Sequence, residues 1–209
     1  MAGKHEAVKT EKKKRKWPWI ILICVILLAG AFLFMYLREN ASGTPTLIVE
    51  TPQKLSLTQD KEFTLDVTIS ALGDVRYPAM SMSLSFDNSR LEFLGVEEGN
   101  VFILSHESAS GQQLPQWSYS AATANQSGLI NIMYLDMTGG KNAFCKDLLA
   151  QEDNVVLRLK FRLRGSIRAG DVLDLILEDA VLAASDEQDS LAMATGSLKT
   201  KNGKLVIGE

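Results

Sequence analysis

Val155 to Arg164 reads V-V-L-R-L-K-F-R-L-R. Leu157, Leu159, Phe161 and Leu163 alternate with Arg158, Lys160, Arg162 and Arg164. A period of two places every apolar side chain on one side of an extended chain and every cation on the other. The same residues wound as a helix would scatter the cations around its circumference. The stretch therefore predicts a strand with one face in a core and one in water.

The pattern repeats on both sides of it. Downstream, the turn Gly165–Gly170 leads to strands over Val172–Leu177, Ala180–Ala184 and Gly203–Ile207. Upstream, E-F-T-L-D-V-T-I-S (Glu62–Ser70) alternates, with Phe63, Leu65, Val67 and Ile69 inward. In A-M-S-M-S-L-S-F-D (Ala79–Asp87), Met80, Met82, Leu84 and Phe86 face in, while Ala79, Ser81, Ser83 and Ser85 face out. Thr46–Thr51, Arg90–Val96 and Leu129–Leu135 complete the set of longer strands. Residues 105–127, rich in Ser, Ala, Gln and Gly, read as a long connection with a short strand near Trp117. Asn142–Gln151 reads as a short helix or loop. Some nine short strands separated by turn signals predict an all-β sandwich.

The first 37 residues are of another kind. Lys12-Lys13-Lys14-Arg15-Lys16 precedes Trp17-Pro18-Trp19, and Ile20–Leu37 carries no charge. Eighteen residues at helical rise span about 27 Å, close to the hydrocarbon thickness of a bilayer. Tryptophan suits the headgroup zone, and the positive-inside rule places the basic side in the cytoplasm. The sequence thus predicts a cytoplasmic tail (1–16), one transmembrane helix (17–37), a polar linker (38–45) and an extracellular domain (46–209). Ala29-Gly30-Ala31 offers small residues for signal-peptide cleavage. Cleavage there would leave Phe32–Leu37 as an apolar new terminus, so an uncleaved anchor is the better reading. A sixteen-residue tail is too short to fold as a signalling domain.

Charge divides the same way. Residues 1–37 hold seven Lys/Arg against two Glu, and residues 38–209 hold fifteen against twenty-three Asp/Glu, for a net −3. An acidic domain is a poor binder of nucleic acid, which needs clustered cations. Cys24 and Cys145 lie in different segments, so no internal disulfide framework exists.

Three motifs in order resemble the cohesin family. L-S-F-D-N-S-R-L-E-F-L-G-V-E-E-G (Leu84–Gly99) is similar to the cohesin strand that ends in Tyr-Asp-Pro-x-x-Leu before a Val-x-x-Gly turn. G-L-I-N-I-M-Y-L-D-M-T-G-G (Gly128–Gly140) resembles the strand whose acidic residue precedes a Gly-rich turn. V-V-L-R-L-K-F-R-L-R-G-S-I-R-A-G-D (Val155–Asp171) resembles the next strand and its Ala-Gly turn. The likeness covers about residues 46–209, with Asn88 where the family has Pro. It implies a nine-stranded jelly-roll sandwich that binds dockerin modules of secreted proteins, as in polysaccharide-degrading assemblies. It implies no cofactor, since calcium would belong to a dockerin partner.

By position, the resemblance implies a docking face of Ala79, Ser81, Ser83, Asn131, Met133, Leu135, Asp136 and Gly139. Family members often carry Asn and Asp where Ala79 and Ser81 stand, so a different dockerin type or another partner is implied. Met133 and Leu135 are apolar side chains on a polar face, either an interaction patch or residues under a loop or helix. The alternative function is a carbohydrate-binding module or adhesin, with Trp117 and Tyr119 stacking on sugar rings. Packing of both rings into the sandwich is the plainer expectation.

Asp186, Glu187 and Asp189 form an acidic loop whose spacing follows no calcium-loop pattern, and it reads as a solvated turn. His106, beside Glu107 in a polar stretch, is the only histidine outside the tail. No H-E-x-x-H, G-x-S-x-G or paired-Cys motif is present, so the expected module is non-catalytic and metal-free.

Overall fold

The computed structural model describes residue 30 and residues 43–57, 61–70, 72–101, 117–146 and 154–209. The basic tail, the 17–37 segment apart from Gly30, and His106 lie outside the described residues. No helix among the described residues is long and apolar enough to cross a membrane. Residues Thr44–Glu209 form one compact unit.

Among the described residues, eleven strands build that unit: β1 (Thr46–Val49), β2 (Leu55–Ser56), β3 (Glu62–Ile69), β4 (Ala79–Phe86), β5 (Leu91–Glu98), β6 (Leu129–Leu135), β7 (Val155–Leu163), β8 (Val172–Ala183), β9 (Leu191–Ala192), β10 (Lys199–Lys201) and β11 (Gly203–Gly208). A five-stranded sheet runs β10-β1-β3-β7-β5. A six-stranded sheet runs β2-β11-β8-β4-β6, with β9 beside β8. All neighbours are antiparallel except β1–β10 and β11–β2. The expected β-sandwich is therefore present. Its described residues form eleven strands rather than about nine, because β2, β9 and β10 are two or three residues long and too short to show periodicity.

The alternation read in β7 sets the core. Leu157, Leu159 and Phe161 are buried, and Arg158, Lys160 and Arg162 stand on the outer side. Phe161 touches three rings: Phe63 (centroids 6.0 Å apart), Phe93 (5.6 Å) and Phe86 of the opposite sheet (5.6 Å, edge-on). Met80, Met82 and Leu84 of β4, with Ile130, Ile132 and Tyr134 of β6, close over it. No polar or charged residue among those described is fully buried, so hydrophobic burial dominates the stability of this core.

Two expectations are corrected. The 105–127 connection contains a helix, α1 (Ala121–Ser127). Ser120 caps it by accepting from the Thr123 N–H, and Gly128 ends it at φ +73°, the cap pair that short helices use. The side chain of α1 Asn125 clamps the β5 edge: its Oδ1 accepts from Phe93 N–H at 2.7 Å, and its Nδ2 donates to Phe93 O at 2.8 Å. Second, the two short strands expected over 172–184 are one strand, β8, with an irregularity. Ser83 faces Asp179 and Leu84 faces Leu177, so Glu178 is an extra residue in the ladder. A bulge shifts parity by one, which keeps Leu173, Leu175 and Leu177 inward on one side of it and Ala180 and Leu182 inward on the other. Of the Asn142–Gln151 segment, residues 142–146 are described: Phe144 bridges to Tyr77, and a 3₁₀ assignment falls on Lys146.

Candidate docking face

The outer faces of the two sheets differ in chemistry. On the five-stranded sheet, β7 sits between β3 and β5, so its cations meet carboxylates from both sides. Arg158 pairs with Asp66 at 3.1 Å and Lys160 with Glu97 at 3.6 Å. Arg162 pairs with both Glu62 and Glu92. The hydrogen bond from Arg162 holds the Glu62 carboxyl below its ordinary range, and the adjoining positive charge adds to this. This ladder is a neutralised, solvated surface.

The outer face of the six-stranded sheet is mostly uncharged. β4 lies between β8 and the terminal strand β6, and its register with both neighbours defines rows across the face. Leu135, Ala79 and Ala183 form one row; Met133, Ser81 and Val181 the next; Asn131, Ser83 and Asp179 the third. Met133 is 59% exposed, Leu135 55% and Ile176 40%; at the two margins Met137 is 84% and Val172 45% exposed. Among the described residues, the remaining large exposed hydrophobic is Tyr119. Met133 and Leu135, next to each other on one side of β6, form a contiguous apolar pair left in water, the kind of feature that marks an interaction surface when it extends into a larger patch.

Polar contacts cross the lower rows. Ser83 Oγ donates to Asn131 Oδ1 at 2.8 Å, and Ser85 Oγ donates to Glu178 Oε1 at 2.8 Å. Lys204 of β11 stands 3.6 Å from Asp174 of β8. The structure thus brings Ala79, Ser81, Ser83, Asn131, Met133 and Leu135 together on one surface. Asp136 is differently placed. Its N–H extends the β4–β6 pairing to Pro78 O, and its Oδ1 accepts from the N–H and hydroxyl of Thr138. Its Oδ2 is enclosed, with no hydrogen-bond partner among the described residues. The carboxylate belongs to the turn that follows β6, and exposed Gly139 (φ +75°) lies in that same turn.

Sequence reasoning missed Ile176, Glu178, Asp179 and Val181, the β8 margin of this face. The signal was there. In L-E-D-A (Leu177–Ala180) two polar residues interrupt a strict alternation, as a bulge requires when both flanks stay buried.

Trp117 and Tyr119 flank Ser118, which bridges to Met133 at the β6 edge through two backbone hydrogen bonds. Their rings turn to the sandwich. Trp117 lies 5.2 Å from the Tyr134 ring and 6.3 Å from Phe144. Tyr119 meets Phe93 edge-on at 5.8 Å, with its hydroxyl over Gly95. Burial raises the Tyr134 phenol far above its ordinary value, with Asp136 and Glu98 adding to the effect. In the acidic loop, Asp186 accepts from the Gln188 N–H and caps a 3₁₀ turn at Glu187–Asp189. Among the described residues, no three His, Cys, Asp or Glu side chains converge as a metal would need.

No family model matches the sequence, and no curated protein matches it. Solved structures do match in fold. The chain resembles the third cohesin of ScaC from Acetivibrio cellulolyticus, solved with the ScaB dockerin, at TM-score 0.55 and 12% identity over 79% of this chain and 99% of that one. It resembles the OlpA cohesin of Clostridium thermocellum, solved with Doc918, at TM-score 0.55 and 15% identity over 79% and 99%. The OlpC cohesin of Clostridium thermocellum, solved with Doc435, gives TM-score 0.56 and 15% identity over 78% and 93%. The described domain therefore has a cohesin-like fold.

Proposed function

We propose that this chain is a non-catalytic surface module whose six-stranded face docks dockerin-bearing proteins, held at the cell membrane by its apolar N-terminal segment. One observation carries the reading: Met133, Leu135 and Ile176 stand exposed on that face, while the opposite face is a paired charge ladder. The fold likeness to cohesins solved with dockerins supports the choice of partner. Fold alone does not fix function, so the site must be tested directly.

The full-length chain, purified in detergent and immobilised, would be exposed to a panel of purified calcium-loaded dockerin modules. The reading expects specific binding by at least one, weakened at least about tenfold by Met133→Arg or Leu135→Arg, because a buried unpaired charge is costly. Unchanged binding by both variants, with circular dichroism intact, would place the docking site elsewhere. Membrane attachment is tested separately, by carbonate extraction of cells and protease access to the 46–209 domain. Release by carbonate, or protection from external protease, would refute the anchor reading.

A further inference from the structure

Resting on that docking reading, we propose that Met133 is an oxidative modification site, and that conversion of its thioether to the sulfoxide by a peroxide releases the docked partner. The methionines of the described domain fall into separate environments. Met80 and Met82 of β4 point into the core and are 3% and 2% exposed. Met193 is half-buried, and its Sδ accepts from the Thr200 hydroxyl at 3.4 Å. Met133 and Met137 are 59% and 84% exposed, more than any other large hydrophobic side chain among the described residues. A peroxide oxidises the sulfur atoms it can reach, so these two react while the core pair is shielded. Leu135, between them in sequence, supplies apolar surface with no such chemistry. What Met133 adds to the face is a flexible, polarizable contact that carries a reactive sulfur.

The step balances with hydrogen peroxide as the oxidant. A sulfur lone pair attacks one peroxide oxygen, the S–O bond forms, the O–O bond breaks, and water leaves. The thioether loses two electrons and the peroxide gains them. The free domain tolerates the product. The Met133 backbone is held on both sides, in register with Ser81 of β4 and hydrogen-bonded through both its N–H and its C=O to Ser118. Its side chain points away from the core, so the added oxygen meets water. Docking reverses that. Met133 shares its row with Ser81 and Val181, beside the row of Leu135, Ala79 and Ala183. A partner fitted to this surface would bury a strong acceptor among apolar groups, which costs free energy that the thioether does not. Oxidation therefore acts on the docked state and leaves the fold in place. It is also reversible, because sulfoxide reductases, one for each epimer, restore the thioether. A methionine in the apolar pair makes docking respond to peroxide, where a second leucine would not.

The experiment treats full-length protein in detergent with millimolar hydrogen peroxide. Peptide mass mapping should find one added oxygen on Met133 and on Met137, with Met80 and Met82 unchanged and the circular dichroism spectrum retained. Affinity for a calcium-loaded dockerin module that binds the untreated chain should fall at least about tenfold, or about 1.4 kcal/mol, and return after treatment with both reductases and a thiol. Each variant is compared with itself before and after peroxide, so its starting affinity does not enter. Met133→Leu should hold that ratio near one, and Met137→Leu should lose affinity as wild type does. If Met133 is fully oxidised and affinity stays within about twofold, under 0.5 kcal/mol, the switch is overturned while docking stands. An equal fall in Met133→Leu places the effect on another residue and overturns it as well. Oxidation of Met80 and Met82 together with Met133 overturns the selectivity. If Met133→Arg leaves dockerin binding unchanged, the docking reading itself fails, and the switch falls with it.

Discussion

Replacing Gly99 by alanine tests how tightly the end of β5 is laid on β7. Gly99 does not need an unusual backbone angle; it needs the absence of a side chain. A Cβ built there would stand 1.9 Å from Val155 O and 2.5 Å from Val155 C, both backbone atoms that cannot swing aside. To reach even the 3.0 Å floor of real Cβ contacts, the segment must lift by more than 1 Å. Three hydrogen bonds hold it down: Asn100 N–H to Val155 O at 2.9 Å, Val101 N–H to the same oxygen at 3.3 Å, and Val155 N–H to Asn100 Oδ1 at 2.8 Å. A lift of that size breaks them, at about 1 kcal/mol each. The unfolded chain loses freedom on Gly→Ala, which returns about 0.4–1 kcal/mol. The net loss is about 2 kcal/mol, or a fall in Tm of roughly 4–8 °C for a domain of this length. Urea unfolding of wild type and Gly99→Ala measures the loss, and hydrogen exchange should show the Asn100 and Val101 amides unprotected. A stability within about 0.5 kcal/mol of wild type, the usual range of neutral surface changes, would refute this account.

Asn125→Ala strips both partners from the Phe93 backbone on the β5 edge. It should cost about 1–3 kcal/mol and, by baring an edge strand, speed aggregation at high concentration; a neutral result by urea titration would contradict the clamp. Trp117→Ala should destabilise by about 2–4 kcal/mol, since its ring packs on Tyr134 and Phe144. A stable variant with lost affinity for a polysaccharide would instead restore the sugar-stacking role. Acid should weaken the fold through two carboxyls held below their ordinary values. Glu62 lies below 4.5 chiefly through the Arg162 hydrogen bond, and Asp171 below 3.8 chiefly through the Arg168 N–H and then Arg90. Both bind fewer protons folded than unfolded, so their contribution is complete above about pH 4.5 and is lost as pH falls through the depressed values. Glu62→Gln should flatten that acid slope in urea midpoints measured from pH 6 to pH 2.5; parallel curves would refute the assignment.

What could be read from the sequence follows from what period two encodes. In β3, β4, β6 and β7 one face is core and the other water, so parity states which residues touch, and the buried sets match it except at Val156, buried out of parity where the β3–β7 register shifts. Where a strand is two or three residues long, as in β2, β9 and β10, there is no period to read. α1 was hidden for a different reason. A-A-T-A-N-Q-S buries Ala124 alone, so it has no apolar stripe, and its helical state is written in Ser120 and Gly128 at its ends rather than in its body. Of the candidate face, the β4 and β6 residues followed from parity. The β8 margin did not, because the bulge at Glu178 shifts the register, and the two successive polar residues that mark it in L-E-D-A also fit a break between two strands.

The contrast between the two outer faces is an energetic one, and it decides which can be a docking surface. Any partner that covers a sheet must remove its water. On the five-stranded face this would dehydrate Arg158, Lys160 and Arg162 together with Asp66, Glu97, Glu62 and Glu92. Ions taken out of water lose several kcal/mol each after relaxation, and pairs already formed in the free protein gain little new attraction in return. Exposed pairs of this kind add at most about 1 kcal/mol to the fold, so the ladder serves less to hold the sandwich together than to keep that face wet. On the six-stranded face the upper rows are Leu135, Ala79, Ala183, Met133, Ser81 and Val181. Covering them forfeits little hydration and gains about 25 cal/mol for each Å² of apolar surface removed from water. The cationic strand whose alternation reveals the fold thus also explains why a partner is expected on the opposite sheet.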